Sequence, residues 1–277
     1  MAQEVCETCN PDTCNSTTCD AKMPGKIPSH ELNEIKHVIG VMSGKGGVGK
    51  SSVTSLLAVA FKKAGYKVGI LDADITGPSI PRIFGVHRPP ENIGNGLLPA
   101  QSVGGIKIMS LNLLLPNEDD PVIWRGPIIS GAVKQFWTDV IWGDLDYLIV
   151  DLPPGTGDAP LTVLQSLPLD GLVIVSSPQE LANMVVRKAV KMATNMKVKI
   201  LGMVENMSYV SCPDCGKKLY IFGPSRAEAA AAEAGIPLLG SLPLDPELTA
   251  LSDHGKIEVY KGDLLERAQE FIKKIVA

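Results

Sequence analysis

VIGVMSGKGGVGKSSVTSLLAVAFKKAGYKVGILDAD, residues 38–74, decides the fold. VIGVM at 38–42 is a short apolar run of strand type, and glycines follow it at once. SSVTSLLAVAFKKAG at 51–65 carries apolar residues at helical spacing and stops at Gly65, a natural helix terminator. KVGIL at 67–71 is a second strand, and it ends in Asp72. Strand, glycine loop, helix and strand in one stretch make a βαβ unit, which implies a parallel sheet. The loop reads Gly44-Lys45-Gly46-Gly47-Val48-Gly49-Lys50-Ser51 and matches G-x-x-x-x-G-K-[ST]. Glycines let the backbone turn so that several N–H groups converge on phosphate oxygens, and the following helix adds its positive N-terminal end. The expected phosphate cradle runs from Gly44 to Ser52, with Lys50 on the β- and γ-phosphates and the Ser51 hydroxyl offered to Mg²⁺. Lys45 is a second lysine where a simple loop of this kind needs none. It is either a solvated side chain or a group that reaches a phosphate bound to a second subunit.

Working outward, Asp72 and Asp74 follow the second strand at its carboxyl end, where ligands bind in open α/β sheets. Asp151 closes a third buried run, DYLIVD, and leads into Leu152-Pro153-Pro154-Gly155-Thr156-Gly157-Asp158. An aspartate ending a hydrophobic strand is what a P-loop enzyme uses to hold a Mg²⁺ shell. The Gly155 N–H is placed to meet a γ-phosphate and to move when it leaves. Together these motifs point to a nucleoside triphosphatase. Further strands are predicted at 106–110, 146–150, 171–175, 198–204 and 236–240, with helices at 127–141, 159–167, 178–194, 224–234 and 262–276. Several strands are apolar throughout, as expected when helices cover both sheet faces. The predicted fold is therefore α/β: a doubly wound, mostly parallel sheet, with a flexible cysteine-rich N-terminal tail at 1–37 and a P-loop ATPase domain at 38–277. Residues 86–105, rich in glycine and proline, read as an irregular insertion near the nucleotide.

The whole chain of 277 residues is 45% hydrophobic and 20% charged, which excludes wholesale disorder. A net charge of −4 argues against a nucleic-acid partner. With only 3 Trp, 5 Tyr and 5 Phe, a base-stacking platform is not expected either. No apolar run is long enough for a membrane span, and MAQEVCETCN does not read as a secretory signal, so a cytoplasmic, reducing setting is expected. In that setting close cysteine pairs point to metal rather than disulfides. Cys212-Pro213-Asp214-Cys215-Gly216 is a knuckle of two thiolates, too few for a tetrahedral site or a four-iron cluster without a second pair. That pair comes from the same chain, for which Cys6 and Cys9 are candidates, or from a symmetry mate. Half of a structural zinc site is the competing reading. Cys6, Cys9, Cys14 and Cys19 lie within one short stretch that can wrap a metal centre unaided, either a second cluster or zinc.

These residues resemble the deviant P-loop ATPases that include MinD, ParA and the nitrogenase iron protein. The match is nearest to the Mrp/ApbC family of iron–sulfur cluster carriers. The carrying stretches are GKGGVGKS at 44–51, LDADITGPS at 71–79, WGDLDYLIVDLPPGTGD at 142–158 and VENMS at 204–208. The resemblance implies that Lys45 acts across a homodimer, that Lys50 and Ser51 bind phosphate and Mg²⁺, and that Asp72 and Asp151 support the metal shell. It further implies that Asp74 positions the attacking water, that Asn206 contacts the adenine, and that Pro243 to Asp245 line the base. Cys212 and Cys215 of each subunit would bridge a 4Fe-4S cluster for transfer to apoproteins. One branch of the family carries an N-terminal four-cysteine cluster site, whose usual spacing the four cysteines here do not follow. A positioning ATPase acting on DNA or membranes would leave all six cysteines idle. An ATP-gated electron-transfer protein would, by the resemblance, use two distant cysteines rather than one CxxC. The C-terminal segment has an apolar stripe, Leu264, Leu265, Ala268, Phe271, Ile272, Ile275 and Val276, but its polar side mixes both charges, as a docked core helix does and a membrane-surface helix does not.

Overall fold

The computed structural model describes residues 27–74, 77–115, 126–179 and 184–276, so the four N-terminal cysteines lie outside the described residues. In chain order the first half contains β1 (Glu34–Ser43), α1 (Lys50–Lys63), β2 (Val68–Asp72), α2 (Ile80–Phe84), β3 (Glu91–Asn92), β4 (Leu97–Leu98), β5 (Ala100–Gln101), β6 (Lys107–Ser110) and α3 (Gly126–Thr138). The second half contains β7 (Asp144–Asp151), α4 (Asp158–Ser166), β8 (Gly171–Ser176), α5 (Met184–Asn195), β9 (Ile200–Glu205), β10 (Val210–Ser211), β11 (Lys218–Leu219), α6 (Ala227–Ala234), β12 (Leu238–Ser241), α7 (Pro246–Asp253) and α8 (Asp263–Val276).

One 8-stranded sheet runs in the order β12-β9-β8-β1-β7-β2-β6-β5, parallel except where β5 meets β6. The strand that follows the first helix does not lie beside β1. Strand β7 inserts between β1 and β2, pairing Val41 with Asp151 on one side and Asp72 with Asp151 on the other. This order matters for the site, because it sets three strand ends side by side: the exit into the glycine loop, Asp151 and Asp72. β2 and β8 are buried along their whole length, as strands covered on both faces must be.

One apolar layer packs Leu56, Leu57 and Phe61 of α1 with Leu264, Phe271 and Ile272 of α8 against Tyr147 and Ile149 of β7. The opposite layer gathers Val133, Phe136 and Trp137 of α3 with Trp142, Leu148 and Leu164. Leu264, Leu265, Ala268, Phe271 and Ile272 of the α8 stripe thus form a docked core face, with Val276 exposed at its end, and among the described residues no helix is long and apolar enough to cross a membrane.

Several boundaries differ from expectation. β1 begins at Glu34, not Val38, and the chain before it is tied to the body. Trp137 Nε1 donates to the Ile27 carbonyl at 2.7 Å, and the Asn33 amide bridges Val140 O (2.9 Å) and Gly143 N (3.0 Å). Pro178 and Gln179 form a turn where a helix over 178–194 was expected, and α5 is described from Met184. Helices α2 and α7, at five and eight residues, are short, and periodicity missed both.

Candidate functional site

The loop after β1 delivers α1 with Gly49 as its N-cap, so no N-cap side chain takes the first N–H groups of that helix. Those donors and the helix dipole are left for an anion. Gly49 has φ +76°, and a Cβ there would stand 2.2 Å from Asn206 Nδ2, so both conformation and space demand glycine. Asn206 lies directly beneath the loop: its Nδ2 donates to Val48 O at 2.9 Å and its backbone N–H to Ser176 O at 2.7 Å. A cavity of about 490 Å³ opens over the loop, lined among others by Gly46, Gly47, Ser51, Ser52, Arg82 and Thr249. Lys45 is exposed at the crown of the loop.

Four ionisable side chains converge at the floor. The Lys50 ammonium lies 2.9 Å from Asp151 Oδ2 and 3.4 Å from Asp74 Oδ2. Asp151, fully buried, also accepts Ser51 Oγ at 2.6 Å and Thr54 Oγ1 at 2.7 Å. Asp72 accepts the Asp74 and Ile80 N–H groups at 3.2 and 3.3 Å and Ser110 Oγ at 3.2 Å. Burial works against the Lys50 charge, but the Asp151 and Asp74 carboxylates outweigh it and its pKa is raised. Burial, then the Asp151 charge, pushes the Asp72 carboxyl up to about 8. Three carboxyl groups facing one ammonium leave a negative surplus that a proton on Asp72 relieves, and a divalent cation would relieve it as well. Ser51, Asp72 and Asp151 therefore fit the protein side of a Mg²⁺ shell, which commonly takes only one or two carboxylates and completes itself with phosphate and water.

Other expected residues sit differently. The Gly155 N–H donates to Ser43 O at 2.9 Å, so a γ-phosphate would have to draw it away from the start of the loop. Pro243 is half-buried. The Asp245 carboxylate N-caps α7, accepting from Glu247 N at 2.7 Å and Leu248 N at 3.3 Å, and also takes the Tyr260 hydroxyl at 2.5 Å. Leu248, Thr249 and Ser252 of α7 reach the cavity. Thr54, Ser110 and Arg82 went unmarked in the sequence, although Thr54 stands one helical turn beyond the motif serine. The 86–105 insertion forms the β3–β4 hairpin and strand β5 at the sheet edge, and among the described residues it does not line the phosphate cavity.

The knuckle occupies the tip of the β10–β11 hairpin, where Val210 pairs with Leu219 and Ser211 with Lys218. Cys212 N donates to Lys217 O, and Gly216 N to Cys212 O, both at 2.9 Å, with Gly216 in the left-handed region at φ +70°. The backbone N–H groups of Cys215 and Asp214 point at the Cys212 sulfur and hold its pKa below the ordinary thiol value. Cys212 is half-buried and Cys215 exposed. Among the described residues, no three His, Cys, Asp or Glu side chains gather into a complete metal site.

Residues 34–277 match the family model of the NUBPL iron-transfer P-loop NTPase. The chain is 48% identical over 270 residues to an iron–sulfur cluster carrier protein of Clostridium perfringens, covering 93% of this chain and 95% of that protein. It is 48% identical to a nucleotide-binding protein of Archaeoglobus fulgidus solved in complex with ADP, with a TM-score of 0.76 over 84% of this chain and 91% of that one. The cell-division ATPase MinD of Pyrococcus furiosus shares the fold, at 22% identity and a TM-score of 0.59 over 87% of this chain and 98% of that one.

Proposed function

The chain belongs to the family of NUBPL-type iron-transfer P-loop NTPases, and from that premise we propose that it binds and hydrolyses ATP to carry a 4Fe-4S cluster to recipient apoproteins. The observation that carries this reading is the exposed knuckle: two thiols, one with its pKa lowered by backbone N–H groups, with no further protein ligand beside them among the described residues. A second copy of the chain supplies the missing pair, so the cargo sits across a homodimer on Cys212 and Cys215 of each subunit.

In this reading the loop from Gly44 to Ser52 holds the phosphates, and Lys50 exchanges its carboxylate partners for phosphate oxygens. Ser51, Asp72 and Asp151 would hold Mg²⁺, which would supply neutralisation of phosphate charge. Asp74, freed from Lys50, orients the attacking water. Lys45 reaches the nucleotide of the partner subunit, and Gly155 senses the γ-phosphate. Asn206 and the stretch Pro243 to Asp245 flank the base. The N-terminal Cys6, Cys9, Cys14 and Cys19 hold a second cluster or zinc. The setting is cytoplasmic, with no nucleic-acid or membrane partner. The likeness to MinD concerns the fold alone and gives the cysteines no work.

The test is iron and acid-labile sulfide per subunit after anaerobic reconstitution, in the intact chain and in a Cys212→Ala/Cys215→Ala variant. A loss of about two irons per subunit in the variant is the expected result for a shared four-iron cluster. Stoichiometric zinc without sulfide would make the knuckle structural and remove the reading.

A further inference from the structure

Glu205 ends β9 fully buried, and the nucleotide chemistry has no use for it. Its Oε2 accepts three hydroxyls: Ser208 at 2.6 Å, Ser225 at 2.6 Å and Ser241 at 3.1 Å. Its Oε1 is buried without a hydrogen-bond partner. For stability alone this is a poor arrangement, since an apolar side chain would avoid desolvating a carboxylate. The donors explain it by their positions. Ser208 and Ser225 stand immediately before and after residues 209–224, the arm that contains β10, the knuckle and β11, and Ser241 ends the neighbouring strand β12.

The next residue, Asn206, holds the Val48 carbonyl of the phosphate loop. One dipeptide therefore grips the nucleotide loop with one side chain and both feet of the cysteine arm with the other. Its backbone is braced on both sides, because Glu205 is paired with Ser176 of β8 and Ser241 of β12. The arm is also stiffened internally: the Tyr209 and Tyr220 rings lie 6.0 Å apart, and the Lys218 ammonium sits 4.6 Å from the Tyr209 ring centre. A displacement at its feet is thus passed to the tip.

We propose that Glu205 is a positioning residue that clamps the two feet of the cysteine arm to the phosphate loop, so that nucleotide occupancy sets the placement of Cys212 and Cys215. Phosphate seating on the loop shifts the Val48 carbonyl, Asn206 follows, and the serine hydroxyls reorient on Glu205. The purpose of such a clamp rests on the carrier reading, but the coupling itself does not.

The test uses the full chain, cluster-free and anaerobic, with the iodoacetamide alkylation rate of Cys212 measured without nucleotide and with Mg²⁺ and AMP-PNP. In the wild type the rate changes about five-fold or more on adding nucleotide, the lower end of ordinary site-to-site coupling. In Glu205→Ala the change falls below about two-fold, while AMP-PNP affinity stays within about three-fold of wild type. Glu205→Gln, whose carbonyl still accepts the serine hydroxyls, keeps the wild-type response, which a loss of general stability would not do. Should Glu205→Ala fail to fold, Ser208→Ala/Ser225→Ala removes the same contacts and loses the response. A wild-type rate indifferent to nucleotide, or a folded variant lacking the clamp that keeps the full response, overturns the proposal. Iron counts on the same proteins separate the two readings: a clamp-dependent response without any cluster removes the carrier reading alone, and a bound cluster with a clamp-independent response removes the clamp alone.

Discussion

Asp72 is the residue at which the electrostatics of the site becomes measurable. Its carboxyl sits at about 8 in the folded chain against an ordinary value of 3.8, burial being the larger cause and the Asp151 charge the next. The folded state therefore holds a proton that the unfolded state releases, and folding stability falls as pH rises from 3.8 through about 8. Below 3.8 both states are protonated and the contribution is fully present; above about 8 it is gone. With EDTA present and nucleotide absent, the melting temperature of the wild type is expected to fall between roughly pH 6 and pH 8.5. The Asp72→Asn variant, which cannot ionise, loses this part of the fall. Thermal scans across that range decide the matter: equal slopes for the two proteins would show that Asp72 is already charged. The aspartate at the end of β2 was readable from the sequence, but its raised pKa was not, because it depends on burial first and then on Asp151 arriving alongside through β7.

At the scale of elements, the junction between loop and helix carries the next expectation. Gly49 combines φ +76° with an Asn206 amide where its Cβ would go. Gly49→Ala places a side chain in the left-handed region, which costs about 1–2 kcal/mol, and pushes Asn206 off the Val48 carbonyl. The expected outcome is a loss of at least that stability in urea titrations and a weakening of ADP binding by at least about ten-fold in calorimetry. Unchanged ADP affinity would mean that Asn206 does not support the loop. The glycine loop, α1 and β2 were legible because each is written in contiguous residues: a motif, a helical period and an apolar run. The floor beneath the loop was not, since Asn206 is distant in the chain and comes near only through the β9 pairing. Asp245 carries a second signal as well: Asp-Pro-Glu is a helix start, and its carboxylate caps α7.

For the whole molecule, the sheet order separates two ends of activity within one rigid frame. The phosphate loop leaves β1 near the middle, whereas the cysteine arm leaves β9 on one flank, and Glu205 and Asn206 lie between them. Neither the order of strands nor this adjacency could be read from the sequence, because crossover connections do not state which strand they pass over. The arm is exposed, and beyond its second cysteine Leu219, Tyr220, Ile221 and Phe222 present apolar surface to solvent. Among the described residues Cys212 and Cys215 have no third metal ligand beside them, so the proposed sharing of cargo between two copies predicts association when the cargo is present and separation when it is taken away. Reconstituted protein should therefore sediment at about twice the mass of the 29.4 kDa chain. A ferrous chelator with a reductant should return it to the single-chain mass while the phosphate loop still binds ADP. Cys212→Ala/Cys215→Ala should remain at the single-chain mass throughout. A dimer that survived both chelation and loss of the cysteines would have to be held by protein surface alone, and the thiolates would then answer to a metal bound within each chain.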